Sequence, residues 1–221
     1  MVREGFDRDL TQLQDELLLL GGMVEKTIAR AMDALRRRDL DASRQVVKED
    51  DIIDQKRFDL EERCIQLIAT QQPLAGDLRI LITVVHVAVE LERMGDYAEG
   101  IAKISIMMGD EPPLKPLVDI PRMADQATNM LRRSLDAFVN RDVVSAIAVC
   151  DDDDKVDALY DQVYRDLLAY MIENPEAIQR ATYLLWVAHD LERIADRTTN
   201  IAERVMFLVT GKLVEHNVSK Y

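Results

Sequence analysis

The sequence predicts an all-α fold built from two tandem, pseudo-symmetric three-helix bundles, with six helices in total. Apolar residues recur every three or four positions along almost the whole chain, which is the period of helices that bury one face. The chain has only eight glycines and six prolines among 221 residues, whereas all-β folds and glycine-rich nucleotide-binding folds need more turn residues. The second half of the chain also repeats the pattern of the first half.

The first half of the chain contains three predicted helices, which span about 6–38, 40–70 and 75–108. The pair Gly21-Gly22 predicts either a kink in the first helix or the close approach of another segment. Asp39 and Asp41 are both candidates for the N-cap of the second helix, because a side-chain oxygen there can accept from free backbone N–H groups. Pro73 interrupts the apolar pattern and separates the second helix from the third.

A proline-rich stretch separates the two halves. The segment GDEPPLKPLVDIP, residues 109–121, contains four of the six prolines and is the clear linker of the chain. Three further helices are predicted after it, at about 120–140, 143–172 and 177–210. The predicted organisation is a first bundle, a linker, a second bundle and a flexible tail, at 1–110, 111–120, 121–212 and 213–221.

Two pairs of segments show that the halves are copies of each other. DDKVD at 153–157 matches DDIID at 50–54, and LERIAD at 191–196 matches LERMGD at 91–96. The two matches have offsets of 103 and 100 residues. The small slip falls at the turn between the second and third helices of a unit, where a change in length is tolerated. The chain therefore carries two units and not a longer array.

Composition and charge exclude several classes of protein. The formal net charge is −13, so the chain lacks the basic surface that nucleic-acid binding requires, and its acidity favours cations or basic partner surfaces. There is no run of about 20 apolar residues that would insert into a membrane, and no N-terminal secretory signal. The cysteines Cys64 and Cys150 lack metal or redox spacing and are expected to be buried thiols of a cytoplasmic protein.

Two pairs of carboxylates recur in each unit at a spacing of i, i+4. Residues at this spacing share one face of a helix, so a pair can chelate one cation. Oxygen-rich sites suit ions such as iron, manganese, magnesium or calcium. If the pairs of neighbouring helices meet, each unit carries a patch of four carboxylates. The eight predicted metal ligands are Asp50, Asp54, Glu92, Asp96, Asp153, Asp157, Glu192 and Asp196.

The helical wheel predicts the direction of these carboxylates. In the third helix one apolar stripe runs unbroken from Ile80 to Ile101 and must face the core, whereas Glu92 and Asp96 lie roughly opposite it. The sixth helix repeats this arrangement around Leu191. The sequence therefore predicts that the carboxylates lie on an outer face of each bundle and not in a buried catalytic centre. A second apolar stripe beside them can be covered by a partner or a sister subunit.

Two alternatives to a surface metal site stay open from the residues alone. The carboxylates could be solvated charges with Arg93 and Arg193 as neutralising neighbours, although like charges at i, i+4 cost stability otherwise. The chain could also be an iron-binding protein or oxidase of ferritin-like type, but such a site needs Glu-x-x-His motifs, and this chain has none. His189 lies on the outer face of the sixth helix and is a further candidate ligand, although Val89 occupies the matching position in the first unit.

Five segments, spread in order over nearly the whole chain, carry a family resemblance. They are GGMVE at 21–25, QPLAGDLR at 72–79, ELERMGDYAEGIAK at 90–103, DDDKVDALYD at 152–161 and DLERIADRTTNIAE at 190–203. At these residues the chain resembles the PhoU family of bacterial phosphate-transport regulators. The resemblance implies two three-helix bundles with multinuclear metal clusters on their surfaces, held by E/DxxxD pairs that match the eight carboxylates. The implied metals are divalent or trivalent ions, iron first, with zinc, nickel, manganese and magnesium as alternatives.

The resemblance also implies a function. It implies a non-enzymatic regulator that restrains the phosphate-specific ABC transporter when phosphate is plentiful and helps a membrane histidine kinase to repress the phosphate-starvation regulon. The chain is accordingly expected in the cytoplasm, peripheral to the inner membrane, as a homodimer that contacts the transporter's ATPase subunit and the kinase. Arg93, Arg193 and His189 are the residues expected to contact partners. Neither nucleic acid nor direct membrane insertion is expected.

Overall fold

Six long α-helices and one short 3-10 helix make up the fold. The computed structural model describes residues 2–114 and 118–213, with side chains from residue 4 onward. The helices are α1 Val2–Arg37, α2 Leu40–Gln71, α3 Gly76–Met108, α4 Asp119–Asn140, α5 Val143–Glu173 and α6 Ile178–Thr210, with the 3-10 helix Pro175–Ala177 before α6. The all-α class and the six predicted helices are confirmed, and each predicted helix end lies within four residues of the observed one.

Aspartates directly before α2 and α5 cap these helices. Asp39 accepts a hydrogen bond from the backbone N–H of Ala42 at 2.9 Å. Its counterpart in the repeat, Asp142, accepts from the backbone N–H of Ser145 at 3.2 Å. The structure thus selects Asp39, and not Asp41, as the N-cap of α2. The two units start their middle helices in the same way.

The core-facing stripes predicted for α3 and α6 are buried. Their residues are at most 4% exposed; they are Ile80, Val84, Val87, Leu91, Met94, Ala98 and Ile101 in α3, and Leu184, Val187, Leu191, Ile194 and Ile201 in α6. Leu78 and Ile82 of the second α3 stripe are each 37% exposed. None of the described helices is long and apolar enough to span a membrane.

α3 and α6 lie side by side at the centre of the fold and run antiparallel. Each packs against the two other helices of its own bundle and against its counterpart, and α1 also contacts α4. Glu90 of α3 accepts a hydrogen bond from Asn200 of α6 at 3.0 Å, while Gly100 faces Asp190 at the other end of this contact. One continuous hydrophobic core runs through both bundles. The two bundles are therefore joined along their central helices.

Gly21 marks a close approach between α1 and α4. α1 is one continuous helix through Gly21 and Gly22. A Cβ atom at Gly21 would overlap the side chain of Leu135 in α4, whereas a Cβ atom at Gly22 would meet nothing within 4 Å. Of the two explanations that the sequence allowed for this pair of glycines, the structure shows the close approach.

After the linker, α4 begins at Asp119, one residue before its predicted start at about Ile120. The first part of the linker is anchored to α6, since Arg180 pairs with Glu111 at 3.1 Å and donates to the carbonyl oxygen of Pro112. Residues 115–117 and the predicted tail beyond residue 213 lie outside the described residues. The division of the chain into units at 1–110 and 121–212 stays a prediction.

Candidate metal-binding faces

The first face lies where α2 packs against α3. It consists of the four predicted ligands of the first unit: Asp50, Asp54, Glu92 and Asp96. One carboxylate oxygen from each of Asp50, Asp54 and Asp96 lies within 4.8 Å of the other two. The i, i+4 pair of α2 therefore meets a carboxylate from the middle of α3. Among the described residues, no second group of three or more potential ligands comes this close together.

Asp50 reaches this cluster from a core-facing position of α2. The buried residues of α2 include Ser43, Val46, Ile53 and Leu60, which follow a heptad spacing. Asp50 occupies the position in that series between Val46 and Ile53. Its carboxyl group is therefore half-buried, whereas the sequence analysis expected the carboxylates on an outer face.

Burial and repulsion by neighbouring carboxylates raise the pKa values of three first-face carboxyl groups, those of Asp50, Glu92 and Asp96. Burial, followed by the charges of Glu99, Asp96 and Asp54, raises the pKa of Asp50 to about 7. Burial, Asp54 and Glu99 also raise the pKa of Asp96. The Oδ1 atoms of Asp50 and Asp54 are buried and have no hydrogen-bond partner. Such oxygens are costly without a compensating cation, so this cluster fits a hard or borderline metal ion.

Glu92, the fourth predicted ligand, lies beside the cluster and not in it. Its carboxylate is 3.7 Å from the guanidinium group of Arg57. Arg57 also pairs with Glu61 at 2.7 Å and stacks over the ring of Phe58 at 4.1 Å. Burial and the charge of Asp96 raise the pKa of Glu92, against the attraction of Arg57. Glu92 therefore faces both a cation of the protein and the aspartate cluster.

Glu99 is an acidic neighbour of the first face that the sequence analysis missed. It lies one turn beyond Asp96 on α3, and after burial its charge is the largest cause of the raised pKa of Asp50. It forms an ion pair with Lys103 at 2.5 Å. Its i, i+3 spacing from Asp96 places Glu99 on the same face of α3. A search for carboxylates that recur in both units overlooks Glu99, because Thr199 occupies the matching position in the second unit.

The second face, where α5 packs against α6, differs from the first. It consists of Asp153, Asp157, Glu192 and Asp196. Asp153 is only 6% exposed, which corrects the expectation that all eight carboxylates lie on an outer face. The reason is its position on α5, where Asp153 lies in the same core-facing heptad series as the buried Val149 and Val156.

Two carboxylates of the second face, Glu192 and Asp196, lie next to basic side chains. Arg193 forms an ion pair with Asp196 and a hydrogen bond with Tyr97 of α3. Burial, followed by repulsion from Asp196, raises the pKa of Glu192 to about 7, despite the attraction of Arg193. The Oε2 atom of Glu192 is buried without a hydrogen-bond partner and lies 3.7 Å from Nδ1 of His189. The second face thus combines carboxylates with an imidazole.

The three residues predicted to contact partners have different surroundings. The side chain of Arg93 is 51% exposed and lies 3.8 Å from Glu90, and that of His189 is 56% exposed. Arg193 is 33% exposed and is held by Asp196 and Tyr97. Arg93 and His189 are open to a partner, whereas Arg193 ties α6 to α3. Their role in partner binding stays a prediction.

The whole fold is similar to solved structures of PhoU proteins. The crystal structure of PhoU from Pseudomonas aeruginosa matches with a TM-score of 0.89 and 36% identity, over 94% of this chain and 100% of that one. The phosphate transport system regulatory protein PhoU from Streptococcus pneumoniae matches with a TM-score of 0.87 and 31% identity, over 95% of this chain and 99% of that one.

Sequence comparisons agree with the structural ones. The PhoU homolog of Clostridium acetobutylicum, a phosphate-specific transport system accessory protein, is 41% identical over 98% of this chain and 100% of its own length. The homolog of Aquifex aeolicus is 39% identical over 95% of both chains. The family model of the PhoU domain matches residues 17–105 and 120–205, so that each matched segment contains one carboxylate face. The chain therefore belongs to the PhoU family.

Proposed function

We propose that this chain is a non-enzymatic regulator of phosphate transport that acts by contact with other proteins. The names of its relatives support the link with phosphate, since they are called phosphate-specific transport system accessory and phosphate transport system regulatory proteins. The observation that carries the proposal is the recurrence of an acidic face at matching places of two bundles that share one core. In addition, burial raises the pKa of Cys64 and Cys150 to about 12, which disfavours a role for either thiol as a nucleophile.

The proposed partners are the ATPase subunit of a phosphate ABC transporter and a phosphate-sensing histidine kinase, on the cytoplasmic side of the inner membrane. Exposed apolar side chains beside the faces support contact with proteins. Phe58 is 53% exposed beside the first face, and Tyr164 and Trp186 are 46% and 49% exposed on the helices of the second. Two similar faces on one chain can engage a dimeric partner at a raised effective concentration.

The chain is also proposed to form a homodimer. The partly exposed apolar stripe of α3 that contains Leu78 and Ile82 supports a surface that a sister subunit can cover. Sedimentation equilibrium of the purified protein tests this proposal. The wild type is expected to be a dimer, and the variants Leu78→Glu and Ile82→Glu are expected to be monomers. A wild-type monomer at micromolar concentration would contradict the proposed homodimer.

Both faces are proposed to bind metal ions, iron first, with zinc, nickel, manganese and magnesium as alternatives. Asp50, Asp54 and Asp96 would hold the ion on the first face, and the second-face carboxylates would do so in the other bundle. A bound cation supplies positive charge that offsets the repulsion between the carboxylates and links the two helices that carry them. The buried Oδ1 atoms of Asp50 and Asp54, which have no hydrogen-bond partner, support this proposal.

Elemental analysis of protein purified without chelator tests metal binding. Wild type is expected to carry metal, and its Tm is expected to rise with metal concentration, because the folded state alone presents the site. Asp96→Ala with Asp196→Ala removes one ligand from each face and should abolish both effects. Asp51→Ala with Asp154→Ala is the matched control, since these aspartates are exposed at equivalent places of the repeat. Wild type that stays metal-free in the presence of each candidate ion would contradict the proposal.

Retention from membranes that contain the transporter and the kinase tests the proposed partners. The immobilised protein should retain the ATPase subunit or the kinase, and Arg93→Glu should weaken this retention. Arg36→Glu is the control, because it makes the same charge change at an exposed position of α1. If neither partner is retained, with or without metal, the regulatory proposal is wrong.

The first-face cluster also favours a second candidate function, a carboxylate-bridged iron-binding protein or oxidase of ferritin-like type. Three carboxylate oxygens within 4.8 Å of one another could hold iron. This alternative predicts that purified protein consumes oxygen when ferrous iron is added and that Asp50→Ala stops the reaction. Bound iron without oxygen uptake would favour the regulator.

A further inference from the structure

Arg38 and Arg180 lie together at one end of the molecule, where α3 ends and the linker begins. Nη1 of Arg38 donates a hydrogen bond to Sδ of Met108, the last residue of α3, at 3.5 Å. Arg180 pairs with Glu111 at 3.1 Å and donates to the carbonyl oxygen of Pro112. Burial, followed by the charge of Arg180, lowers the pKa of Arg38. The two guanidinium groups therefore repel each other across the start of the linker.

Both arginines occupy positions that local structure disfavours. Arg38 directly follows α1 and has a φ of 59°, in the left-handed region that glycine or asparagine usually occupies after a helix. Arg180 is the third residue of α6, where the helix dipole disfavours a positive charge. Each position thus reduces the stability of the fold. Local costs of this kind are typical of residues that serve a function.

Three guanidinium nitrogens of this pair are buried and have no hydrogen-bond partner. They are Nε and Nη2 of Arg38 and Nε of Arg180. Arg57, Arg79 and Arg197 also have an unpartnered Nε atom, but Arg38 has two unpartnered nitrogens. A buried donor without an acceptor is costly, and more so when it is charged. The pair therefore has hydrogen-bond donors to offer to an anion.

The positive charge of this pair is only partly balanced. Arg38 forms no ion pair with the described residues, whereas Arg36, two residues before it, pairs with Asp33 at 2.7 Å. Glu111 pairs with Arg180, but its side chain is 63% exposed, and such an exposed pair is weak. Two guanidinium groups thus face one exposed carboxylate, in a chain whose net charge is otherwise strongly negative.

We propose that Arg38 and Arg180 form a binding site for a phosphate group. Each guanidinium group presents a planar fork of donors that matches two oxygens of an oxyanion. The phosphate oxygens accept from Nε and Nη2 of Arg38 and from Arg180, and the anion supplies the negative charge that the pair lacks. The bound group links the turn between α1 and α2 to the start of α6. This inference goes beyond the proposed function, because it gives the chain a ligand of its own.

Calorimetric titration with inorganic phosphate tests the site. The protein is freed of metal ions, so that metal-bound phosphate does not contribute, and the ionic strength is held constant. Arg38→Gln and Arg180→Gln should each weaken phosphate binding by about tenfold or more, because each removes charged donors. Arg141→Gln is the matched control, since Arg141 is the counterpart of Arg38 in the repeat, has a φ of 52° and is exposed. It should change phosphate binding by less than about twofold.

Arg38→Gly separates loss of binding from loss of folding. Glycine adopts the left-handed region without strain, so the Tm of this variant without phosphate should at least equal that of the wild type. Phosphate should raise the Tm of the wild type and not that of the variant. Glu111→Gln removes the carboxylate that competes for Arg180 and should strengthen phosphate binding by roughly twofold to fivefold.

Nitrogen-15 NMR of the arginine Nε–H groups locates the bound anion, since the signal of Arg38 should shift with phosphate while that of Arg141 stays unchanged. ATP is the second titrant. Binding of either compound that Arg38→Gln weakens supports the site, and the tighter of the two shows whether the phosphate group is that of the free anion or of a nucleotide. Wild type that binds neither compound, or binding that Arg141→Gln weakens as much as Arg38→Gln does, overturns the site. Both of these results leave the proposed regulator and its metal-binding faces unaffected.

Discussion

Asp50 occupies a core-facing position of α2, and burial together with the charges of Glu99, Asp96 and Asp54 raises its pKa from 3.8 to about 7. In the metal-free protein this group therefore binds its proton more tightly in the folded state than in the unfolded state. By linkage, the contribution of Asp50 to stability falls as the pH rises from about 4 to about 7 and is constant at higher pH. Glu192, whose pKa burial and Asp196 raise to about 7, acts in the same direction.

Asp50→Asn should therefore stabilise the metal-free protein at pH 7.5. The expected gain is roughly 1 kcal/mol, because solvent screening of this partly exposed group reduces the full effect of its pKa shift. The gain should vanish below about pH 4, where Asp50 is protonated in both states. Urea unfolding of chelator-treated protein across this pH range measures it, with Asp51→Asn as the exposed control. A variant no more stable than wild type at pH 7.5 would show that the carboxylate repulsion is not significant.

Gly21 and Gly22 are neighbours in α1, but substitution by alanine should affect stability differently at the two positions. Both substitutions to alanine gain the same helix propensity, about 1 kcal/mol, but only at Gly21 does the new Cβ atom overlap Leu135. Gly22→Ala should therefore be stabilising, and Gly21→Ala should be less stable than Gly22→Ala by about 1–3 kcal/mol. Thermal unfolding of the two variants measures the difference. Equal stability would mean that the Leu135 side chain or the two helices shift without cost to admit the new Cβ atom.

The middle helices α2 and α5 share a design that is visible in both units. Each begins with an aspartate N-cap, and each places an aspartate, Asp50 or Asp153, in its core-facing heptad series. Each of these helices thus has a carboxylate at a core-facing position, where an apolar side chain is usual. The packing of α2 on α3, and of α5 on α6, consequently depends on how those charges are neutralised.

Loss of the cap should weaken α2 in a measurable way. Asp39→Ala removes the acceptor for the backbone N–H of Ala42 and is expected to lower the free energy of unfolding by about 1 kcal/mol. Asp41→Ala, two residues further on and exposed, should change it much less. Urea denaturation followed by circular dichroism compares the two. A larger loss of stability for Asp41→Ala than for Asp39→Ala would show that Asp41, and not Asp39, caps α2.

The contact between α3 and α6 decides whether the two bundles unfold together. Arg197 and Asn200 of α6 bind Glu90 of α3 at 3.3 Å and 3.0 Å, and the side chains of Arg197 and Glu90 are 12% and 15% exposed. One core also runs through both bundles. The protein is therefore expected to unfold in a single cooperative transition.

Arg197→Ala removes the buried cation beside Glu90, leaves only the half-exposed Arg93 at 3.8 Å, and should destabilise the protein by about 3 kcal/mol. Glu90→Leu combined with Arg197→Leu should recover part of this loss, because no buried charge is left unpaired. Calorimetry and urea unfolding measure both the stability and the number of transitions. Two separate transitions in the wild type would indicate that the bundles are independent.

Much of the fold could be predicted because its determinants are local. The period of the apolar residues predicts the helices, and the stripe from Ile80 to Ile101 correctly indicates the core face of α3. The site was harder to predict. A wheel drawn for α3 and α6 describes the direction of a side chain on its own helix, but it says nothing of Asp50 and Asp153, which α2 and α5 turn partly or wholly inward.

The sequence by itself determined the six helices, the duplication and the eight carboxylates, since each depends on residues close together in the chain. Only the tertiary structure decided which carboxylates meet. Asp50, Asp54 and Asp96 come together on the first face, while Glu92 lies beside Arg57 and Asp196 of the second face pairs with Arg193. It also decided that Glu99 joins the first face. Such competition between neighbours depends on distances between helices, which residue spacing along one helix does not encode.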